Sequence, residues 1–243
     1  PFMTTACEKF EELFGIHVTV RTVEAGRLPR SSGADVWYGG DEALCRALSE
    51  EGKLMTYTPA ASADLSSPEY DHGDYCAINV DALGIMVNDD VLDRMGISAP
   101  RTWDDLLNPV YRELVWLPAY DTAEGRLFVR AVMAQYGDGA ADYLAKLDTS
   151  VQFYTTGINT AAKCLPTGEC VIGIGWLSTA LAVQRDTGSS VIRMWAPAPS
   201  GVPGQVQTTA VFADAPHPNA AKLWQEFALS PLCMELMTEN GCD

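Results

Sequence analysis

The sequence has no run long and apolar enough to cross a bilayer. Its longest such stretch, Cys170-Val-Ile-Gly-Ile-Gly-Trp-Leu177, falls far short of the ~20 residues a spanning helix needs. Basic residues are scarce, with 16 Lys and Arg against 32 Asp and Glu for a net charge of −16. So negative a chain repels phosphate backbones, which argues against nucleic acid as a partner. It leaves open a local pocket of either sign. The three histidines, His17, His72 and His217, are far apart, and none of the seven cysteines stands in a CxxC spacing. A metal site is therefore not expected. The motifs G-x-S-x-G, H-E-x-x-H and G-x-x-x-x-G-K-[ST] are missing. The acidic residues fall mostly on helix surfaces, so the expectation is a non-enzyme without a cofactor. The opening Pro1-Phe-Met-Thr4 is neither a charged nor an apolar leader segment, so no signal sequence is expected in this chain.

What is present is an ordinary globular composition: 243 residues, 47% hydrophobic and 20% charged. That suits one large domain or two small ones. Helix and strand patterns alternate, as in α/β proteins. Thr5–Leu13 has helical spacing, and the β-branched residues of Ile16–Val23 predict a strand. Ala34–Tyr38 reads as a buried strand broken by Gly39-Gly40, with Asp41 capping the next helix, a unit typical of a parallel sheet. Tyr57–Asp74 reads as a long loop, and Tyr75–Val87 as an apolar strand interrupted at Gly84. Asn88 opens a helix, and Thr102 with Asp105 forms a capping box for a helix over 99–107. Strands follow at Leu114–Leu117, Val151–Tyr154, Cys170–Gly175, Val191–Trp195 and Gln207–Ala213. Helices are predicted over Thr122–Tyr136, Asp138–Leu147, Asn159–Lys163, Ser178–Arg185 and Pro218–Leu229, with one more after Pro231.

Seven cysteines leave at least one unpaired within the chain. Cys164 and Cys170 flank the turn Leu-Pro-Thr-Gly-Glu and are the expected disulfide; Cys233 and Cys242 could close a second loop. The alternative is buried free thiols.

Five landmarks, in order, resemble bacterial extracellular solute-binding proteins of ABC importers. They are Phe10-Glu-Glu-Leu-Phe-Gly-Ile-His-Val18, Ala34-Asp-Val-Trp-Tyr-Gly-Gly-Asp41, Ala82-Leu-Gly-Ile-Met-Val-Asn88, Pro100-Arg-Thr-Trp-Asp-Asp-Leu-Leu-Asn-Pro-Val-Tyr111, and Ala215-Pro-His-Pro-Asn-Ala-Ala221 followed by Ala228-Leu-Ser-Pro231. The resemblance implies an α/β, two-lobed periplasmic-binding-protein fold of the second class, with a ligand cleft between lobes that close on it. The lobes would be residues 1–84 plus 204–243, and 85–203, without the family's usual first strand and last C-terminal helices. It further implies a monomer that captures a small polar solute for an ABC permease in the membrane. Its place would be periplasmic or extracellular, free or anchored as a lipoprotein. A sensor module or an enzyme on the same scaffold is the alternative.

In open α/β sheets ligands bind beyond the carboxyl ends of strands. The turns there supply the candidate ligand residues. Gly39, Gly40 and Asp41 form the first. Asp121 and Thr122 lie in the second, Ala119–Ala123, where Asp121 could equally be a helix N-cap. Tyr154, Thr155, Thr156 and Gly157 form the third, whose hydroxyls and glycine suit an oxyanion. Trp176 and Ser178 lie in the fourth, and Thr208 is a weaker candidate on the returning strand. Phosphorylated or phosphonate-type molecules are favoured as ligands. Asp121 and Glu124 bring negative charge that favours a cationic or zwitterionic one, such as a polyamine. Iron-binding relatives place a tyrosine pair where Trp176-Leu177 stands here, and no Tyr-Tyr pair occurs, which argues against ferric ion.

Overall fold

The computed structural model describes residues 2–23, 33–64, 71–157, 159–196 and 203–240. The chain divides into two compact units, Pro1–Val80 with Gln205–Asp243, and Asp81–Gly204.

In the first unit, α1 (Phe2–Phe14) buries Phe2, Ala6 and Phe10, the i, i+4 stripe of an amphipathic helix. Phe10 meets Trp224 at 5.1 Å and Phe227 at 5.5 Å between ring centroids, both from α8 (Pro218–Ala228). Cys233 and Met237 of α9 (Pro231–Asn240) close this aromatic cluster. Pro218 and Pro231 each open their helix, where a missing N–H costs nothing. The strand expected at Ile16–Val23 is not formed. Residues 16–23 pair with no strand among the described residues, although Ile16 and Val18 pack on the cluster. β-branched residues make a strand only where a partner ladder exists.

β1 (Val36–Asp41) pairs antiparallel with β7 (Gly204–Val211), not parallel as expected. Gly39-Gly40 does not end the strand either. It is a bulge at which the register slips between Tyr38 and Gly40. Gly39 takes φ +82°, and a Cβ on Gly40 would lie 1.8 Å from the Trp37 indole nitrogen, so both positions demand glycine. α2 (Glu42–Glu50) follows directly and packs Cys45 and Leu48 against Leu54, Ala210 and Phe212. The segment expected as one long loop holds a 3-10 turn at Ala60–Asp64, while residues 65–70 lie outside the described residues. Its start is tied to α8 by Glu226, which accepts hydrogen bonds from the Tyr57 hydroxyl (2.6 Å) and the Ala60 and Ala61 amides (2.9 and 3.2 Å).

β2 (Tyr75–Asn88) runs unbroken through Gly84 from the first unit into the second. A Cβ at Gly84 would lie 2.5 Å from the Trp195 carbonyl, so glycine serves close packing there and not a break. In the second unit β2 pairs antiparallel with β5 (Ile172–Trp176) and β6 (Ile192–Trp195). β3 (Val115–Pro118) pairs parallel with β5 and with β4 (Val151–Thr155). The order is β6-β2-β5-β3-β4. Alternate residues of β2 feed opposite faces. Leu83, Ile85 and Val87 join Trp103, Phe128 and Val132, whereas Met86 joins Ala161, Leu165 and Cys170. Phe128 and Val132 come from α4 (Ala123–Tyr136), Ala161 from α6 (Thr160–Cys164), and Ala180 on the Met86 side from α7 (Leu177–Thr187). α5 (Ala140–Leu147) covers the first face with Tyr143, whose hydroxyl donates to the Trp103 carbonyl at 2.7 Å.

Asn88 caps α3 (Asp89–Met95) by accepting from the Val91 amide at 3.0 Å. The reciprocal box also forms: the Asp105 amide donates to Thr102 Oγ1 at 3.1 Å, and the Thr102 amide to Asp105 Oδ2 at 2.9 Å. What it opens is a short 3-10 segment, Asp104–Leu107, because Pro109 follows two residues on and stops any helix. Cys164 and Cys170 are free thiols, contrary to expectation. Cys170 points into the Met86 face, fully buried, while Cys164 is only partly covered. Burial pushes the Cys170 thiol well above its ordinary range, so it behaves as a small apolar side chain. Cys242 lies outside the described residues, as do Val202 and the greater part of the proline- and glycine-rich segment over 196–204. No helix among the described residues is long and apolar enough to cross a membrane.

Candidate functional site

β5, β3 and β4 run parallel side by side, so their carboxyl ends fall at one edge of the second unit. Beyond that edge lies a hollow open to solvent. Pro118 and Thr155 contribute from the strand ends, and Thr122 and Glu124 from the entry to α4. Thr156 and Gly157 come from the turn after β4, and Gly175, Trp176 and Thr179 from the β5–α7 junction. Met86, Ile174, Ala161 and Ala162 form the apolar floor. Small-molecule sites combine such a floor with a few aimed polar groups.

The entry to α4 is held by Thr122, the N-cap. Its Oγ1 accepts from the Gly125 amide at 3.0 Å and donates to the Ala119 carbonyl at 2.7 Å. Gly125 is obligatory, since a Cβ there would stand 2.0 Å from the Ala119 oxygen. Within this tight first turn Glu124, just before Gly125, lies buried at 5% exposure. Its Oε1 accepts from the Trp176 indole N–H at 3.0 Å. Its Oε2 has no hydrogen-bond partner among the described residues, and Glu124 is one of the residues that line the hollow. Thr155, also 5% exposed, lines the hollow with a hydroxyl that bonds no described residue. Thr156 and Gly157 are exposed, and their amides make no hydrogen bond among the described residues.

Of the candidates from sequence, Thr122, Thr155, Thr156, Gly157 and Trp176 come together in this hollow. Asp121 does not line it; it is exposed, and its cap role falls to Thr122. The Tyr154 hydroxyl instead donates to Asp148 at 2.6 Å, and its ring meets Tyr120 at 5.6 Å. Burial, reinforced by Asp148, pushes the Tyr154 phenol far above its usual range, so it remains a neutral donor. Ser178 donates to Asp81 at 2.5 Å. Burial raises the Asp81 carboxyl above its ordinary value despite that bond. Gly39, Gly40, Asp41 and Thr208 belong to the first unit. There Thr208, almost fully buried, donates to the Gly40 carbonyl at 2.9 Å and lies 3.0 Å from Cys45 Sγ. The Asp41 side chain lies outside the described residues.

The sequence did not single out Thr179, whose hydroxyl donates to Asn159 at 3.1 Å, or Glu124 as a buried partner of Trp176. The signal for Glu124 was its place two residues after the cap; its partner lies 52 residues away, beyond any local pattern. Among the described residues no group of three or more His, Cys, Asp and Glu is placed to hold a metal ion.

A sheet with its hollow beyond parallel strand ends is the architecture of periplasmic binding proteins, and solved structures of that class share this fold. AfuA from Actinobacillus pleuropneumoniae, with fructose-6-phosphate bound, has a TM-score of 0.74 at 23% identity, covering 98% of this chain and 79% of that one. Iron-bound HitA from Pseudomonas aeruginosa has a TM-score of 0.79 at 22% identity, covering 99% of this chain and 81% of that one. An uncharacterized protein of Haemophilus influenzae is 27% identical over 216 residues, 86% of this chain. The chain spans 62% of the length of that relative. The family model of bacterial extracellular solute-binding proteins matches residues 1–231, and the chain belongs to that family.

Proposed function

We propose that the chain is the substrate-capturing component of an ABC importer, taking a small polar solute and passing it to a membrane permease. Its place of action would be the periplasm or cell exterior, free or lipid-anchored. The observation that carries this reading is the hollow at the ends of β3, β4 and β5, lined by Glu124, Thr155, Thr156 and Trp176 over an apolar floor. A few polar groups set above an apolar floor are what orients a small polar solute. Thr155, Thr156 and the Gly157 amide offer donors suited to an oxyanion, which favours a phosphorylated or phosphonate-type molecule. Glu124 supports a second reading, a small organic cation such as a polyamine.

A thermal-shift screen of sugar phosphates, alkyl phosphonates, polyamines and ferric citrate tests both. A true ligand at 100 times its Kd adds about 2.7 kcal/mol of stability. A shift given by phosphorylated compounds and abolished in Thr156→Trp, which fills the hollow from its exposed rim, is the expected result. A shift given by ferric ion alone would overturn the reading.

A further inference from the structure

The hollow holds two demands of opposite sign. The Thr155 hydroxyl and the Thr156 and Gly157 amides are donors that no described residue uses. Glu124 lines the same hollow, and its second carboxylate oxygen, Oε2, is an acceptor that no described residue uses. Both buried side chains are about 95% enclosed, and neither free group is answered by any described residue. Trp176 consumes only Oε1. Thr122 is consumed by its cap and Thr179 by Asn159, so neither hydroxyl can donate to the carboxylate. No lysine or arginine lines the hollow among the described residues. A purely anionic solute would bring its oxygens beside the Glu124 carboxyl with no cation between them, and a purely cationic one would make no use of the Thr155–Gly157 donors.

We infer that Glu124 is a specificity-determining residue for a zwitterionic solute, one carrying a protonated amine that docks on Glu124 Oε2 and an oxyanion that docks on the Thr155–Gly157 turn. This rests on the capture reading above and narrows it. A charged amine N–H on a carboxylate is a strong, short hydrogen bond. In a shared hollow the amine also screens the carboxylate from the oxyanion. The selectivity is thus built from one side chain that welcomes the amine and repels solutes lacking it.

Titration calorimetry on the whole chain with O-phosphoethanolamine, ethyl phosphate and ethanolamine separates the parts. These probes carry both groups, the phosphate alone and the amine alone. The wild type is expected to bind O-phosphoethanolamine at least tenfold more tightly than either half. Glu124→Gln keeps an acceptor for Trp176 and removes the charge. It should weaken O-phosphoethanolamine at least tenfold and tighten ethyl phosphate severalfold. A wild type that binds ethyl phosphate as tightly as O-phosphoethanolamine overturns the role of Glu124 and leaves capture standing. A wild type that binds none of the three overturns the zwitterion, and if the broader screen is also silent, capture falls with it. The wild-type comparison does not depend on the variant folding.

Discussion

An added methyl at Gly125 would stand 2.0 Å from the Ala119 carbonyl, with no flexible side-chain end to give way. Gly125→Ala must push α4 off the strand end. We expect a loss of about 2 kcal/mol or more, read as a lower midpoint in urea denaturation. An unchanged midpoint would mean the turn is looser than its contacts show. Glu226 is a residue of another kind. Burial works against its charge, but the hydrogen bonds from Tyr57, Ala60 and Ala61 outweigh it and hold the carboxyl below the usual glutamate range. A carboxylate with a depressed folded pKa adds stability above its unfolded pKa and loses it as pH falls through the folded one. Because the group is largely solvated, the contribution is modest, about 1 kcal/mol. Glu226→Gln should lower stability at pH 7 by that amount and show no difference from wild type in strong acid; a gap that persists at low pH would contradict the charge argument. Capping chemistry was legible at this scale. Asn88, Thr102 and Asp105 do what their types and spacing imply. The choice between Asp121 and Thr122 was not legible, since both types cap helices and only the turn geometry decides.

Among elements, the strands and helices of the second unit stand close to where hydrophobic periodicity put them. Alternation along β2 and i, i+4 spacing in α4 are set by which face is buried. Pairing partners are set by tertiary structure, and there the reading failed. β1 was legible as a strand but not as the antiparallel partner of β7, 160 and more residues away. Residues 16–23 have strand-forming composition but no ladder to join among the described residues. Asn88 joins elements that the sequence treats separately. It caps α3 and donates from Nδ2 to the Leu165 carbonyl at 2.6 Å, while nearly fully buried. Asn88→Ala strips the cap and one of the two hydrogen bonds on the Leu165 carbonyl, which keeps the Gly168 amide as a donor, for a loss of about 2 kcal/mol. Asn88→Asp retains the cap but sets a buried carboxylate oxygen against the Leu165 carbonyl, and should be at least as destabilised as Asn88→Ala. Equal stability of all three forms, by chemical denaturation, would remove Asn88 from the account of how α3 is anchored.

For the whole molecule, the family was legible because short landmarks occur in a fixed order along nearly the entire chain. The match over residues 1–231 bears that out. The hollow was legible in part: strand ends followed by Thr122, Thr155, Thr156 and Trp176 could be named, because ligand sites lie beyond the carboxyl ends of parallel strands. The unpaired groups inside it could not, because satisfaction of a hydroxyl or carboxylate depends on neighbours distant in sequence. The central claim is that this hollow receives a small solute reversibly. Equilibrium dialysis of the chain and of Thr155→Val against O-phosphoethanolamine, with mass spectrometry of the recovered solute, tests it most directly. The account predicts one solute per chain, recovered chemically unchanged, and binding at least tenfold weaker in Thr155→Val. A solute recovered as a different compound, or binding equally tight without the Thr155 hydroxyl, would contradict it.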